Sequence, residues 1–216
     1  WAPGWASALW PCSKTGARLA LMRRGDMPKE LLYIIGVPGS GKSTLMAAAL
    51  QGLLCLGEVS KPFRMRHYPG GVMLGGFRRE FSGTDLLGLN VQPKVEAYLE
   101  ACPYPAIVAE GDRLANNTFF GMVLKWGWHL TVVYLKVPEG LAAERRTLRG
   151  SSQDATWIKG RVTKVHNLAM DYEAYLYTLD GAAPVGQNAQ ELTGLPAFQL
   201  LSSEFQRKHV KPLDKP

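Results

Sequence analysis

Four short apolar segments recur along the chain at the spacing of an α/β protein, with polar or helical stretches between them. They cover residues 31–35, 72–75, 106–110 and 130–137. The first, third and fourth are nearly continuous apolar runs, which is typical of strands that helices cover on both faces of a sheet. Because strands that alternate with helices form right-handed βαβ units, this order predicts a mainly parallel sheet.

Helical patterns lie between these strands and after them. The predicted helices cover residues 42–54, 91–101, 139–149 and 165–177, and a polar, basic stretch, 151–164, precedes the last of them. Residues 197–201, "AFQLL", are the candidate fifth strand. The pattern therefore predicts a three-layer α/β fold with a mainly parallel, five-stranded sheet flanked by helices.

A glycine-rich loop connects the first predicted strand to the first predicted helix. Its sequence, "GVPGSGKST" at residues 36–44, satisfies the G-x-x-x-x-G-K-[ST] motif. Glycines let successive backbone N–H groups turn toward a phosphate, and the following helix adds its positive N-terminal end. Lys42 can reach the β- and γ-phosphates, and Ser43 can hold Mg²⁺. The residues predicted to bind ATP are Gly36, Pro38, Gly39, Ser40, Gly41, Lys42, Ser43 and Thr44.

This loop resembles the phosphate loop of the small P-loop kinases, which include the adenylate and shikimate kinases. The resemblance implies a P-loop kinase fold that binds ATP and Mg²⁺, with Lys42 in a catalytic role. It is specific for nucleotide triphosphate binding and does not name the phosphate acceptor.

Composition and charge narrow the class of protein. The 216 residues are 46% hydrophobic and 20% charged, as expected of an ordinary globular protein. Lys and Arg outnumber Asp and Glu by 25 to 18, and the net charge of +7 favours polyanionic partners such as nucleotides or nucleic acid. The three cysteines, Cys12, Cys55 and Cys102, indicate neither a disulfide framework nor a zinc site, which favours a reducing cytoplasm. We expect no transmembrane helix, because no apolar run is long enough.

Residues 1–27 differ from the rest of the chain. They hold three of the six tryptophans and lack the pattern of a signal peptide, and Met22 and Met27 lie just upstream of the first strand. We interpret this segment as a loosely packed arm or an extension foreign to the natural protein, and residues 28–216 as the kinase domain.

Carboxylates follow the third predicted strand, in "AIVAEGD". Glu110 and Asp112 lie at the carboxyl end of that strand, where open α/β sheets bind ligands, and either can orient Mg²⁺ or its water ligands. Arg113 can offer a fork of donors to a phosphate. An equally good interpretation of Asp112 is that it caps a turn and only Glu110 faces the site. The pair Asp112-Arg113 is similar to the Asp-Arg of thymidylate-type kinases.

The segment "LKVPEGLAAERRTLRG" places three arginines on the helix after the fourth strand. Arg145 and Arg149 are four residues apart and share a face. The pattern resembles the lid region of small kinases, which implies that these two arginines act on the transferring phosphate and are catalytic. Permanent charge suits arginine for that role. For Arg146 a solvated basic face is an equally good interpretation.

The segment after the second strand, "LGGFRREFSGTD", supplies the candidate acceptor residues. In small P-loop kinases this region often binds the acceptor, and by that resemblance Asp85 is the candidate general base, with Arg78 or Arg79 holding an acceptor phosphate. Thr84 and Asp85 also fit a helix N-cap, and the two interpretations are compatible.

A last distinctive stretch, "SSQDATWIKGRVTK", combines one aromatic side chain with several cations. Trp157 lies near Lys159, Arg161 and Lys164, and stacking surfaces with neighbouring positive charge bind unpaired bases. A core tryptophan beside a solvated basic face is the simpler interpretation of the same residues.

Together, "LGGFRREFSGTD", "EGDRLAN" and "RGSSQDATWIKGRVTK" resemble the bacteriophage P-loop kinases that phosphorylate 5-hydroxymethyluracil in DNA. This resemblance covers most of residues 28–180. It implies DNA carrying a modified base as the partner, contacts from Trp157 and Arg161 to that DNA, and the host cytoplasm as location.

Two other functions remain open at this stage. One is a kinase for a free nucleotide or another small metabolite, and the other is a regulatory module that binds and hydrolyses ATP or GTP. The compact chain leaves little room for a translocating ATPase, and it has no Asn-Lys-x-Asp motif for guanine. The sequence leaves the oligomeric state undetermined.

Overall fold

The computed structural model describes residues 28–78 and 82–203. Within them the strands are β1 (Glu30–Ile35), β2 (Gly57–Val59), β3 (Met65–Tyr68), β4 (Gly71–Leu74), β5 (Gly76–Phe77), β6 (Ser82–Gly83), β7 (Ala106–Glu110), β8 (His129–Lys136) and β9 (Leu176–Asp180). The helices are α1 (Lys42–Leu50), α2 (Gln92–Glu100), α3 (Asn117–Lys125), α4 (Glu139–Leu148), α5 (Ala155–Asp171), α6 (Val185–Thr193) and α7 (Pro196–Ser202). Two 3-10 turns, Thr84–Leu86 and Glu173–Tyr175, complete the set.

The main sheet has the strand order β2-β3-β4-β7-β1-β8-β9. Its inner part, β4-β7-β1-β8-β9, is parallel throughout, while β2 and β3 extend one edge as antiparallel strands. The chain crosses from β7 on one side of β1 to β8 on the other, so the loop after β1 lies where the strand order reverses. Such switch points are where open α/β sheets bind ligands.

Both faces of the sheet are covered, as the apolar runs predict. Along β1, Leu31, Tyr33 and Ile35 pack into one hydrophobic cluster, while Leu32 and Ile34 pack into the other. All five are buried, because successive side chains of a strand point to opposite faces. The two cores pack against opposite faces of the sheet, whose paired central strands end at the same edge.

The predicted mainly parallel α/β fold is confirmed, but the predicted strand number is wrong. In the part of the chain that the structure describes, the main sheet has seven strands rather than five. The sequence prediction missed β2, β3 and β9, of which β2 and β3 are only three and four residues long. Strands this short carry too little alternation to be recognised.

The last predicted strand and the last predicted helix are also corrected. Residues 197–201 lie in α7, whose buried residues Ala197, Phe198, Leu200 and Leu201 follow helical spacing after Pro196 at the first turn. Helix α5 begins at Ala155, where the Asp154 side chain accepts a hydrogen bond from the Trp157 backbone N–H and caps it. It ends at Asp171, and the fifth parallel strand is β9.

The other predicted elements agree with the structure to within a few residues at each end. The third predicted strand matches β7, and the helices predicted at 91–101 and 139–149 match α2 and α4. Of the described helices, none is both long and apolar enough to cross a membrane. The predicted extension at residues 1–27 lies outside the described residues.

Candidate active site

The loop between β1 and α1 wraps around a point above the carboxyl end of β1. Gly39 and Gly41 have φ angles of +88° and +96°, in the left-handed region that favours glycine. A Cβ atom at Gly39 would lie 2.4 Å from the backbone oxygen of Ala142 in α4. The loop can therefore keep this shape, with α4 packed closely against it, only with glycine there.

Lys42 folds back across the loop that it belongs to. Its Nζ donates hydrogen bonds to the backbone oxygens of Gly36 at 2.7 Å and Val37 at 3.2 Å. Burial lowers the pKa of Lys42, and the nearby carboxylates of Glu110 and Asp85 oppose that shift. The ammonium group thus lies in the electric field of carboxylates from two segments, the end of β7 and the Thr84–Leu86 turn.

Three side chains from three segments meet below Lys42. The Ser82 hydroxyl contacts the Ser43 hydroxyl and donates a hydrogen bond of 2.8 Å to Oε1 of Glu110. Glu110 is only 1% exposed, and burial raises its pKa, while Lys42 and the bond from Ser82 oppose the shift. Hydroxyl and carboxylate oxygens are the ligands that Mg²⁺ prefers, so Ser43 and Glu110 form a donor set that fits this ion.

The Thr84–Leu86 turn is fastened to the end of β7. Oδ1 of Asp85 accepts hydrogen bonds from the backbone N–H groups of Asp112 at 2.8 Å and Arg113 at 3.1 Å. The Thr84 hydroxyl bonds the Tyr33 hydroxyl at 2.8 Å, and Tyr33 donates to the backbone oxygen of Gly111 at 3.1 Å. The Thr84–Leu86 turn, called the acceptor-side turn below, is therefore held by the Tyr33 side chain of β1 and by the backbone that follows β7.

Asp112 carries ion pairs to helix α5. Its Oδ2 lies 2.6 Å from Nη1 of Arg161, and its Oδ1 lies 2.9 Å from Nζ of Lys164. The guanidinium of Arg161 also lies over the Trp157 ring, 5.1 Å from its centroid. Trp157 is 37% exposed, so the two side chains form a stacked, half-open surface beside the site.

The arginines of α4 differ in what they contact. Arg145 bridges the backbone oxygens of Ser40 at 3.2 Å and Gly181 at 3.0 Å. Arg146 is buried; it donates to the Pro38 backbone oxygen at 2.8 Å and pairs with Glu139 at 2.6 Å. Arg149 is exposed at the mouth of the site.

A cavity of about 360 Å³ opens beside the phosphate loop. It lies between the loop and α1 on one side, α4 on another, and the turn from β9 into α6 on the third. Its walls combine apolar groups with Arg145 and Arg149 of α4. The lining residues are Gly39, Ser40, Gly41, Thr44, Leu45, Leu135, Arg145, Arg149, Gly181, Ala183, Val185 and Asn188. An apolar cavity with a few convergent polar groups is the usual form of a small-molecule site.

The family model described as P-loop Nucleotide Kinase3 matches residues 65–194, more than half of the chain. The chain belongs to this P-loop nucleotide kinase family. The matched region begins after the phosphate loop and covers the acceptor-side turn, the β7 end, α4 and α5. Most of the residues that surround the phosphate loop in space are therefore part of the family match.

Comparison with solved structures finds distant similarity to other kinases. A sugar kinase from Janibacter sp. has 14% identity and a TM-score of 0.49, covering 82% of this chain and 100% of that chain. A gluconokinase from Sinorhizobium meliloti has 14% identity and a TM-score of 0.46, covering 85% and 99%. A deoxyadenosine kinase from M. mycoides has 14% identity and a TM-score of 0.42, covering 76% and 96%. No curated protein matches the chain.

Most of the residues predicted for the site lie around the carboxyl ends of the central strands. The phosphate loop, Asp85 and Glu110 lie together, and Arg149 is near enough to Lys42 to lower its pKa, although burial is the larger cause. Asp112 and Arg161 lie at the edge of this group and are paired with each other. Arg78 is exposed, and Arg79 lies outside the described residues.

Two residues of the candidate site were missed by sequence reasoning: Ser82 bridges Ser43 and Glu110, and Asn188 lines the cavity. For Arg146 the sequence left a functional role and a solvated basic face equally open; the solvated face is wrong, because Arg146 is buried and donates to the Pro38 carbonyl of the phosphate loop. Ser82 lies in the segment "LGGFRREFSGTD", and its hydroxyl two residues before Thr84 was the one sequence feature that could have indicated it. Nothing in the sequence distinguishes Asn188 from an ordinary helix residue, because its surroundings come from distant segments.

Proposed function

We propose that this P-loop nucleotide kinase transfers the γ-phosphate of ATP to a hydroxyl group, and that the acceptor is an anionic molecule. The observation that carries the proposal is the position of Asp85, which is fastened to the β7 end within the electrostatic reach of Lys42 and Glu110. A carboxylate there adjoins the phosphate loop from the side opposite α4. This arrangement suits a site where one group holds phosphate and another receives a proton.

The phosphate loop would hold the triphosphate through its backbone N–H groups and through Lys42. Lys42 would exchange its present bonds to the loop carbonyls for phosphate oxygens. Ser43 and Glu110 would hold Mg²⁺, which neutralises charge on the β- and γ-phosphates when it is bound. Asp112, also predicted for the metal, has cations on both carboxylate oxygens, so a direct metal role would require it to release them.

The transfer itself needs a group that accepts the proton and positive charges around the transferred phosphate. The acceptor hydroxyl oxygen attacks the γ-phosphorus, its proton passes to Asp85, and the bond to the β-phosphate oxygen breaks to release ADP. Asp85 can take this proton on Oδ2, because Oδ1 is held by two backbone donors and Oδ2 has no hydrogen-bond partner among the described residues. Arg149, whose charge acts on Lys42, would stabilise the equatorial oxygens of the transferred group, and Arg145 would keep its bonds to the backbone oxygens of Ser40 and Gly181.

The charges around Asp85 favour an acceptor with a phosphate of its own. Arg113, Arg161 and Lys164 lie beside the Thr84–Leu86 turn; Asp112 pairs with Arg161 and Lys164, and the Arg113 side chain has no ion pair in the described part of the chain. Nε of Arg113 is buried without a hydrogen-bond partner there. An anion that enters this region would satisfy Arg113 and the excess positive charge.

Within that class, we favour a 5-hydroxymethyl pyrimidine base in DNA. Trp157 is partly exposed beside Arg161, and the two offer stacking to an unpaired base and charge to the DNA backbone. The net charge of +7 acts in the same direction. The second candidate acceptor is a free nucleotide, which the nucleotide kinase family match favours.

The test supplies ATP labelled in the γ-phosphate together with a panel of acceptors. The panel contains single- and double-stranded DNA with 5-hydroxymethyluracil, the same DNA with thymine, free nucleoside monophosphates, a neutral sugar, and water alone. Label on hydroxymethyluracil DNA alone would support the favoured acceptor. Label on free nucleotides alone would show that the acceptor is the second candidate and not the DNA base. Label on the neutral sugar would contradict an anionic acceptor. Release of inorganic phosphate without any transfer would favour a regulatory module.

A matched pair of variants separates acceptor binding from nucleotide binding in this assay. Arg161→Ala removes a cation that faces the acceptor side, while Lys125→Ala removes an exposed cation at the end of α3, outside the Trp157 patch. We expect Arg161→Ala to raise the KM of the acceptor without raising the KM of ATP, and Lys125→Ala to change neither.

A further inference from the structure

The cavity beside the phosphate loop has one buried polar side chain that lines it without serving the phosphate loop. Asn188 is 4% exposed and lies in the first two turns of α6, which begins at Val185. Apart from Ser40, Thr44 and the two α4 arginines, the other residues that line the cavity are apolar or glycine. We propose that Asn188 selects adenine over guanine by accepting a hydrogen bond from the 6-amino group of the base through Oδ1. This inference rests on the nucleotide-binding half of the proposed function and not on the acceptor.

The orientation of the Asn188 amide is set by the sheet. Its Nδ2 donates a hydrogen bond of 2.8 Å to the backbone oxygen of Asp180, the last residue of β9. The position of Asp180 is fixed by pairing with Lys136 in β8, and the next residue, Gly181, donates its N–H to the Lys136 oxygen at 2.6 Å. If the amide turned over, two oxygens would face each other, so the donor end stays on Asp180.

The other end of the amide is therefore an acceptor with nothing to accept from. Oδ1 of Asn188 has no hydrogen-bond partner among residues 28–78 and 82–203. A nearly buried side chain with an unpartnered oxygen is uncommon in native proteins, and such groups usually serve a ligand or water. Because Asn188 lines the cavity, that oxygen is available to a molecule that fills it.

The rest of the cavity fits a flat base joined to a triphosphate. Leu45, Leu135 and Val185 supply apolar surface, and Arg145, which donates to the Gly181 backbone oxygen, borders it on the α4 side. Arginine stacks well on planar rings. A base placed here remains attached to phosphates in the adjoining loop, since Gly39, Ser40 and Gly41 belong to both the loop and the cavity wall.

Purines differ at position 6 in the property that Asn188 would read. Adenine carries an amino group there, which donates to an oxygen, whereas guanine carries an oxygen, which would face Oδ1 and leave both unsatisfied. A site that hydrogen-bonds a ligand group rejects the analogue that lacks it, because its own polar atom stays unpaired. Selection by Asn188 therefore follows from the acceptor character of Oδ1.

The test measures binding of three triphosphates by titration calorimetry in the presence of Mg²⁺, with no phosphate acceptor added. The probes are ATP, GTP and purine riboside triphosphate, which is ATP without the 6-amino group. We expect the unmodified protein to bind ATP about tenfold more tightly than purine riboside triphosphate, the factor for one neutral hydrogen bond. GTP should bind more weakly still.

Two variants complete the measurement. Asn188→Leu keeps the approximate volume and removes Oδ1, so it should bind ATP and purine riboside triphosphate with equal affinity; Gln190→Ala, an exposed position on the same helix, should keep the tenfold difference. If Asn188→Leu still binds ATP more tightly than purine riboside triphosphate, the inference is overturned. Equal binding of these two probes by the unmodified protein would also overturn it, and this comparison does not depend on whether Asn188→Leu folds. Failure to bind any triphosphate would overturn the proposed function as well, whereas tight ATP binding with no phosphate transfer would leave base selection standing.

Discussion

Oδ1 of Asp85 accepts the backbone N–H of Asp112 across 2.8 Å, and this bond joins the acceptor-side turn to the end of the strand that carries Glu110. A second bond from the Arg113 N–H shares the same oxygen. The carboxylate fixes the turn through Oδ1, and the proposed mechanism gives Oδ2 a second task, to take the proton of the acceptor hydroxyl. Substitutions at Asp85 can separate these tasks.

Asp85→Asn should lower kcat by about 10²- to 10⁴-fold, the usual range for loss of a general base. The amide oxygen can still accept the two backbone N–H groups, so the turn and the KM of ATP should change little. Steady-state kinetics with the acceptor identified by the label assay measures both constants. Glu100→Gln, an exposed carboxylate at the end of α2, is the matched control and should be fully active. An unchanged kcat in Asp85→Asn would leave Asp85 as a cap alone.

Arg146→Ala and Arg149→Ala should fail in different ways. Arg146 is buried and bonds the Pro38 carbonyl, so its loss should reduce the free energy of unfolding by about 2 kcal/mol and weaken ATP binding. Arg149 is exposed and has no side-chain hydrogen bond among the described residues. Its loss should leave stability within about 0.5 kcal/mol and lower kcat by about 10²-fold. Urea unfolding and initial rates on the same two proteins make the comparison, and an active, stable Arg146→Ala would refute the supporting role.

Tyr33→Phe should destabilise the protein by about 2 kcal/mol while the core stays packed. The ring still meets Phe119 and Phe120, whose centroids lie 6.3 Å and 5.2 Å away. What is lost is the hydroxyl, which leaves the Thr84 hydroxyl and the Gly111 carbonyl without it. Equilibrium unfolding in urea measures the change, and a loss below about 0.5 kcal/mol would show that water replaces the hydroxyl.

His67 should make the protein sensitive to acid. It is buried on β3 with Nδ1 bonded to the Tyr104 hydroxyl at 2.9 Å, and burial lowers its pKa below the usual 6.5 or so. The unfolded chain therefore takes up a proton near pH 6.5 that the folded chain refuses. Stability is unaffected above that pH and falls as pH drops from 6.5 toward the folded pKa, by up to about 1.4 kcal/mol per pH unit.

His67→Gln isolates this contribution, because glutamine can still bond Tyr104 and does not titrate. The difference in unfolding free energy between the two proteins should be constant from pH 7 to 8 and should move in favour of His67→Gln below pH 6.5. Urea unfolding at pH 7.5, 6.5 and 5.5 measures it. A difference that does not change with pH would mean that His67 titrates normally.

The sequence alone predicted the features that depend on neighbouring residues. The phosphate loop was recognisable because its glycines, Lys42 and Ser43 lie close together in the sequence, and β7 because four apolar residues are followed by Glu110. Short elements were not recognisable in the same way. β9 is half-buried, and "AFQLL" is equally compatible with a strand or a helix until Phe198 and Leu201 have a core to pack on.

The site residues that were missed, or whose role was left open, are those whose contacts lie far away in the sequence. Arg146 meets Pro38 across 108 positions, and Ser82 meets Ser43 across 39. Such contacts are created by the order of strands in the sheet, which no local pattern encodes. The pairing of Asp112 with Arg161 and Lys164 has the same origin, because the fold brings α5 to the end of β7.

The proposed transfer of the γ-phosphate of ATP to a hydroxyl acceptor is best tested by following that phosphate. With labelled ATP, Mg²⁺ and the acceptor panel, the unmodified protein should place label on one acceptor class faster than it releases inorganic phosphate. Lys42→Ala should abolish the transfer, since no other described lysine bonds the loop. Label that goes to water alone, or transfer that persists in Lys42→Ala, would contradict the account.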